Sequence, residues 1–132
     1  MGIEIKSINE VEGLETSEGV MKPLIFGEKV AVIHLEIPVG LELSPHAHSM
    51  EGVIYCLSGE LEVISGSETV TIGSGTAMLV PPNVEVGIKN HGDEPVTAIL
   101  ISSPPPVKSA EELKNLLRHP NRGDKRRDRN DA

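Results

Sequence analysis

Two histidines separated by one residue, His46 and His48, are the side chains of this chain best suited to chemistry. On an extended segment, residues two apart point to the same side of the backbone, so both imidazoles can converge on one ion. Glu51 follows after two intervening residues and offers a carboxylate. Two imidazoles and one carboxylate suit a divalent transition metal that keeps open positions for water or a substrate. The pattern predicts a metal site with His46 and His48 as ligands and Glu51 as the third candidate.

Short strand-like runs separated by Gly, Pro and Asn must position these residues. Their spacing of about 8 to 12 residues is typical of a β-sandwich or barrel, and no helical period interrupts them, which argues against a parallel α/β sheet. The apolar content supports strands, because it comes from Val, Ile and Leu, with Phe26 and Tyr55 as the only large aromatic residues. The runs cover residues 22–26, 29–37, 53–57, 60–64, 69–72, 77–80, 84–89 and 95–102.

The length and charge of the chain restrict its class and partners. A chain of 132 residues is the size of one domain and can bury a core. The net charge of −8 argues against nucleic acid or an anionic membrane surface as a partner, because both attract basic proteins. No run approaches the roughly 18 to 20 apolar residues of a membrane span. Cys56 is the only cysteine, so no intrachain disulfide can form, and its expected role is that of a small buried apolar residue. We expect a cytoplasmic protein.

The pattern changes after Ser102. Prolines at positions 104 to 106 cannot continue a central strand, because each lacks a backbone donor. Ser109 followed by Glu112 forms a capping-box pattern, and leucines at 113, 116 and 117 form one apolar stripe. The sequence therefore predicts an N-terminal strand segment at 1–21, a barrel at 22–107, a C-terminal helix at 108–120 and a disordered charged tail at 121–132.

Over residues 22–101 the chain resembles the cupin superfamily, whose members are small β-barrels of the jelly-roll type. The first cupin motif matches at Gly40, His46, His48 and Gly59, and the second at Gly75, Pro81 and Asn90. The resemblance implies an all-β fold, a double-stranded β-helix or jelly-roll cupin barrel, here with a short C-terminal helix.

The chain departs from the cupin pattern at three positions. Gly52 occupies the position of the metal-binding glutamate, and Glu51 lies one residue earlier, so it faces the centre only if a β-bulge corrects the register. Val86 occupies the position of the third ligand histidine. Asn83 replaces the second glycine of the second motif, a mild change because Asn tolerates a left-handed backbone. Two of the four family ligands remain, and the resemblance implies Fe, Mn, Ni or Zn as the metal.

Strand alternation predicts which side chains share the cavity with the histidines. In the family register they are Gly52, Ile54, Cys56, Val86 and Ile88. This largely apolar lining, with two imidazoles at one side, is typical of a small-molecule pocket. We expect it to suit a weakly polar, neutral ligand.

Three functions remain open from the sequence. The first is a barrel that binds a small molecule, with a loosely held divalent metal at His46 and His48. The second is a metal-dependent enzyme of the dioxygenase, isomerase or lyase type that acts on a small carbonyl or carboxylate compound. The third is a structural dimer module. Because single-domain cupins are commonly homodimers, we expect a second copy as partner, and residues 3–14 could add a strand to its sheet edge.

Overall fold

The computed structural model of the protein describes residues 2–118. The end of the predicted helix, including Pro120, and the predicted tail at 121–132 lie outside the described residues. A short 3₁₀ turn at Ile8–Glu10 is followed by strands and then by one helix. These elements are β1 (Leu14–Thr16), β2 (Gly19–Phe26), β3 (Ala31–Ile37), β4 (Glu42–His46), β5 (Glu51–Ser58), β6 (Glu60–Ser65), β7 (Glu68–Gly73), β8 (Ala77–Val80), β9 (Val86–Lys89), β10 (Val96–Ser103) and α1 (Ala110–Arg118).

The strands form two antiparallel sheets. The six-stranded sheet has the order β1-β2-β3-β10-β5-β8, and the four-stranded sheet has the order β4-β9-β6-β7. Each of the eight predicted runs overlaps a strand, and β1 and β4 complete the set. The predicted all-β barrel with a short C-terminal helix is confirmed. β2 begins at Gly19 and so crosses the boundary predicted between residues 21 and 22.

The core lies between the two sheets and follows strand alternation. Along β3, Ile33, Leu35 and Ile37 are buried, while the residues between them are exposed or half-buried. Leu61 and Val63 of β6 meet them from the four-stranded sheet within one apolar cluster. Burial of these side chains holds the sheets together, since each fully buried aliphatic side chain contributes about 1.5 to 3 kcal/mol.

Helix α1 begins at Ala110, two residues after the predicted start. The predicted N-cap is confirmed, because the Ser109 hydroxyl accepts the Glu112 N–H at 3.0 Å. The Glu112 carboxylate accepts the N–H of Lys108, so the other half of the capping pair is shifted by one residue. Leu113 anchors the helix in the core. Within residues 2–118, no helix is both long and apolar enough to cross a membrane.

Candidate metal centre

The structure brings the predicted histidines together. His46 is the last residue of β4, and His48 lies two residues further on, in the connection to β5. Their ring centroids are 4.7 Å apart and the ring planes meet at 86°. The His-x-His spacing therefore places two imidazoles side by side, as the sequence predicts.

A third side chain, Glu18, joins the two histidines. Its carboxylate and one nitrogen of each ring all lie within 4.8 Å of one another. Across the two sheets, Oε2 of Glu18 lies 3.8 Å from Nε2 of His46. These two side chains are 26% and 23% exposed, so solvent or a small ligand can still reach them. The group has the composition predicted for a metal site, with a different carboxylate.

The turn between β1 and β2 holds Glu18 in place. The hydroxyl of Thr16 accepts the N–H of Glu18 at 3.0 Å and donates to the carbonyl of Gly19 at 2.8 Å. Gly19 has a φ of 114° and packs so closely on β3 that an added Cβ would lie 2.3 Å from the carbonyl oxygen of Glu36. Only glycine fits both the conformation and the contact. These contacts therefore fix the backbone that carries the Glu18 carboxylate.

The pairing of β4 with β9 positions His46. Its register is irregular between Leu43 and His46, and this brings His46 opposite Val86. At the irregularity β9 passes very close to β4: a Cβ on Gly87 would lie 2.8 Å from the carbonyl oxygen of Leu43 and 3.0 Å from the nitrogen of Pro45. Gly87 is therefore required for this approach.

A backbone carbonyl orients the ring of His46. Its Nδ1 lies 3.1 Å from the carbonyl oxygen of Ser44. A carbonyl can only accept, so the neutral ring carries its proton on Nδ1 and keeps the lone pair of Nε2. Nε2 is the nitrogen on the side of Glu18. A ligand histidine commonly has its second nitrogen fixed in this manner.

Asn83 supports the backbone at His48. Its N–H donates to the carbonyl of His48 at 2.7 Å, and its φ is 65°. The sequence prediction that Asn serves here because it tolerates a left-handed conformation is confirmed.

Glu51 lies elsewhere. It is the exposed first residue of β5 and pairs with Ser103. The pairing of β5 with β10 is regular from Glu51 to Cys56, without the bulge that would turn Glu51 inward. The proposed ligand role of Glu51 stays a prediction, and Glu18 is the carboxylate found with the histidines.

The predicted pocket residues occupy the inner face of the barrel. Cys56 and Ile88 are buried in the core, and Ile54 and Val86 pack against it partly buried. Gly52 is half-buried on β5. Burial raises the pKa of the Cys56 thiol, which disfavours a nucleophilic thiolate. As a common ligand site, this set of five stays a prediction.

An apolar cleft of about 200 Å³ opens beside Val86. Val63, Val70 and Met78 also line it, so it lies between β7 at the edge of one sheet and β8 at the edge of the other. Val86 belongs to the cleft and is also the strand partner of His46. The cleft is therefore adjacent to the candidate metal centre.

The remaining described histidines lie apart from this group. His34 is on the outer side of β3, where burial and the nearby Lys22 ammonium lower its pKa. His91 follows β9, and its Nε2 lies 3.1 Å from Oε1 of Glu62. Glu18 is the residue that sequence reasoning missed. It stands far from His46 in the chain and outside both cupin motifs, so no local spacing pointed to it.

Comparisons with known proteins agree with the fold. The family model described as "Cupin domain" matches residues 33–102, just over half of the chain. A solved RmlC-like cupin from Shewanella frigidimarina NCIMB 400 is 22% identical, with 80% of this chain and 94% of that chain covered and a TM-score of 0.71. The polyketide cyclase RemF from Streptomyces resistomycificus is 18% identical, with 83% and 86% covered and a TM-score of 0.71.

KdgF from a Halomonas species is 18% identical, with 77% of this chain and 95% of that chain covered and a TM-score of 0.70. At these identities the likeness to solved structures shows the fold alone. No curated protein matches the sequence. The family match includes His46 and His48 but not Glu18, which lies N-terminal to it. By this match the chain belongs to the cupin family.

Proposed function

We propose that the protein binds a divalent transition metal through His46, His48 and Glu18 and holds a small molecule beside it. The observation that carries the proposal is the group of three ligand atoms within 4.8 Å of one another. It is supported by the orientation of His46, whose Nδ1 lies 3.1 Å from the carbonyl oxygen of Ser44 and whose Nε2 lies on the side of Glu18.

The distances fit a single ion. With bonds of about 2.1 Å to nitrogen and oxygen, two ligands of one ion lie at most about 4.2 Å apart. The separation of 3.8 Å between His46 Nε2 and Glu18 Oε2 falls inside this limit. The 4.8 Å bound on the whole group requires only small side-chain rotations.

The donor set favours certain metals. Two imidazoles and a carboxylate suit Fe, Mn, Ni or Zn, whereas Mg²⁺ and Ca²⁺ prefer oxygen ligands alone. No thiolate contributes, since Cys56 is buried and its pKa is raised. Three protein ligands leave coordination positions for water or for an oxygen atom of a bound molecule.

The cleft beside Val86 suits the apolar part of such a molecule. Its lining is mainly aliphatic, and the strand pairing of Val86 with His46 connects it to the ligand group. We therefore expect a small, mostly apolar ligand with one oxygen function directed at the histidines. The homodimer predicted from the sequence is a separate matter from this site and stays a prediction.

A metal-dependent enzyme is the second candidate function, and the two-histidine, one-carboxylate composition favours it. A metal bound there would supply Lewis-acid polarisation of a carbonyl or carboxylate oxygen. The chain's own contribution is to orient His46 through Ser44 and to hold Glu18 on the β1–β2 turn. Because the cyclase and KdgF share only the fold with this chain, neither reaction is transferred here.

Equilibrium dialysis against Zn²⁺ and Co²⁺ tests the proposal. We expect one ion per chain in the unaltered protein and loss of that ion in a His46→Ala, His48→Ala double variant. A matched His34→Ala, His91→Ala double variant removes two histidines outside the group and should retain the ion. No binding by the unaltered protein, or equal binding by the first double variant, would overturn the metal site.

NMR of the metal-loaded protein with a panel of small carbonyl and carboxylate compounds separates the two functions. Shifts of resonances from the cleft without conversion of the compound support a binding protein. Conversion that disappears in the His46→Ala, His48→Ala variant supports the enzyme.

A further inference from the structure

The lining of the apolar cleft includes two polar side chains, Ser65 of β6 and Glu68 of β7, which are direct strand partners. The remaining lining side chains are five valines, Met78, Leu79 and Pro81. Among the described residues that line the cleft, none is a lysine, an arginine or a histidine. The cleft therefore carries a negative charge at one end, and Glu68 supplies it.

One row of residues joins Glu68 to the candidate metal centre. His46 of β4 stands opposite Val86 of β9. The antiparallel pairing of β9 with β6, continued by one step, sets Val86 beside Ser65. Ser65 pairs in turn with Glu68. The row therefore crosses all four strands of this sheet, with His46 at one end and Glu68 at the other.

The Glu68 end of the row faces the inside of the barrel. Ser65 follows the buried Val63 by two residues, and Glu68 lies on the same side of β7 as the buried Ile72. Glu68 is nevertheless exposed, because β7 is the edge strand of its sheet. A ligand in the cleft can therefore contact Glu68 at one end and an ion held by His46 at the other.

The two polar side chains at this end can only accept hydrogen bonds from a ligand. The Ser65 hydroxyl donates to the carbonyl of Glu85 at 3.1 Å, so its proton is already used and its lone pairs remain. An ionised carboxylate such as that of Glu68 has acceptors alone. A ligand group placed there must donate, and a protonated amine donates with a charge opposite to that of Glu68. A second carboxylate would be repelled.

The distance between the two ends determines the length of the ligand. The backbones at His46 and Glu68 are three strand spacings apart, which is about 14 Å. The bond to the ion and the hydrogen bond to Glu68 take up part of this distance. An unbranched chain of about eight carbon atoms, with bonds of about 1.5 Å, spans the rest. The middle of such a chain would contact the valines of the cleft.

We propose that the protein selects unbranched ω-amino carboxylates, with the carboxylate on the metal ion and the ammonium group at Glu68. Glu68 is then the residue that determines specificity at the far end of the cleft. The inference rests on the proposed function, because the carboxylate end requires the ion at His46 and His48. Glu68 itself is outside the group of metal ligands.

Calorimetric titration of the Zn²⁺-loaded full chain with 8-aminooctanoate and with octanoate, at low salt, tests the inference. The two compounds differ in the terminal amine, so the ratio of their dissociation constants measures the preference for that group. We expect Glu68→Gln to reduce this preference by about three- to fivefold, the effect of one exposed ion pair. Glu60→Gln is the matched control and should leave the preference unchanged, because Glu60 is exposed on the outer side of β6, next to the buried Leu61.

Suberate, the dicarboxylate of the same length, tests the sign of the charge. The unaltered protein should bind suberate more weakly than octanoate, because a second carboxylate would face Glu68. A Glu68→Lys variant should bind suberate more tightly than 8-aminooctanoate. Tighter binding of suberate than of 8-aminooctanoate by the unaltered protein would overturn the inference.

Titration with Zn²⁺ alone separates this inference from the proposed function. We expect the unaltered protein and Glu68→Gln to bind Zn²⁺ equally. Absence of Zn²⁺ binding by the unaltered protein would overturn the proposed function and this inference together. Normal Zn²⁺ binding would leave the proposed function standing, and the inference alone would fall if Glu68→Gln kept the full preference for 8-aminooctanoate or if none of the three compounds bound.

Discussion

The two ends of the β4–β9 strand pair have opposite characters. At one end Asn90 is 1% exposed, donates to the carbonyls of Ile37 and Glu94, and accepts the N–H of Gly92. At the other end His46 stands opposite Val86 and beside Glu18, about a quarter exposed. Hydrogen bonds inside the protein satisfy the first end, which we call the closed end. The second, which we call the open end, contains three potential metal-ligand atoms.

Both ends contain cupin motif residues, so the motif alone does not separate structure from function. The side-chain amide of Asn90 donates to the backbone at the end of β3 and to the connection between β9 and β10, and its oxygen accepts an N–H of the same connection. Such a residue has a structural role, since its hydrogen-bonding groups are already satisfied. The imidazole of His46 has Nδ1 beside the Ser44 carbonyl and Nε2 on the side of the Glu18 carboxylate, so Nε2 is the nitrogen placed to bind a metal ion.

The largest expected effect is the loss of stability when the side chain of Asn90 is removed at the closed end. Asn90→Ala leaves the carbonyls of Ile37 and Glu94 without these donors, so we expect the free energy of unfolding to fall by about 3 kcal/mol. Urea denaturation measures this. Asn115→Ala, at an exposed helix position, is the control and should change stability little. Equal effects from the two variants would contradict the structural role of Asn90.

A methyl group at Gly87 should disturb the open end. Gly87→Ala forces β9 away from Leu43 and Pro45, so we expect about a tenfold loss of metal affinity and a loss of about 1 to 3 kcal/mol in stability. Titration calorimetry with Zn²⁺ and urea denaturation measure the two effects. Gly73→Ala serves as the control, because the nearest atom to its Cβ is 4.0 Å away. Unchanged affinity in Gly87→Ala would show that the close approach does not position His46.

An added imidazole should strengthen metal binding at the open end. Val86 pairs with His46, so Val86→His offers a fourth ligand and we expect metal affinity to rise about tenfold, equivalent to about 1.4 kcal/mol. Thr69→His is the matched control, because Thr69 is exposed and alternates along β7 with Val70 and the buried Ile72, so the new histidine points away from the cleft. Metal affinity that is the same in both variants would mean that position 86 does not face the ion.

The smallest expected effect is on the pH dependence of stability. It comes from His34, which lies away from both ends of the β4–β9 pair. Burial first and then Lys22 lower its pKa, with Glu36 acting in the opposite direction. A lowered folded-state pKa means that the unfolded chain binds the proton more readily than the folded chain does. The contribution of His34 to the free energy of unfolding is therefore fully present above about pH 6.5 and is lost as the pH falls below that value. Urea denaturation from pH 7.5 to 5.5 should show a slightly weaker pH dependence in His34→Gln. A stronger dependence in that variant would contradict the sign.

The fold and the histidine pair could be predicted from the sequence because their signals are local. Strand alternation and turn residues are local signals, and the eight predicted runs all overlap strands. The spacing of His46 and His48 is local too. Asn83 was interpreted correctly because its left-handed backbone follows from the needs of a tight turn.

Glu18 could not be found in the same way. Its place beside His46 depends on the β1–β2 turn packing on β3, which Gly19 permits by its close approach to Glu36. That packing is a tertiary contact with no periodic signature in the sequence.

We propose that Glu18 completes the metal site of His46 and His48. Titration of Co²⁺ into the apoprotein, followed by the visible absorption of the bound ion, tests it in Glu18→Gln and Glu51→Gln side by side. We predict that Glu18→Gln weakens Co²⁺ binding about 10- to 100-fold and alters the spectrum, because a carboxylate ligand is lost. We predict that Glu51→Gln leaves both unchanged. The reverse result, with Glu51→Gln weakening Co²⁺ binding and Glu18→Gln without effect, would show that Glu51 and not Glu18 is the carboxylate ligand.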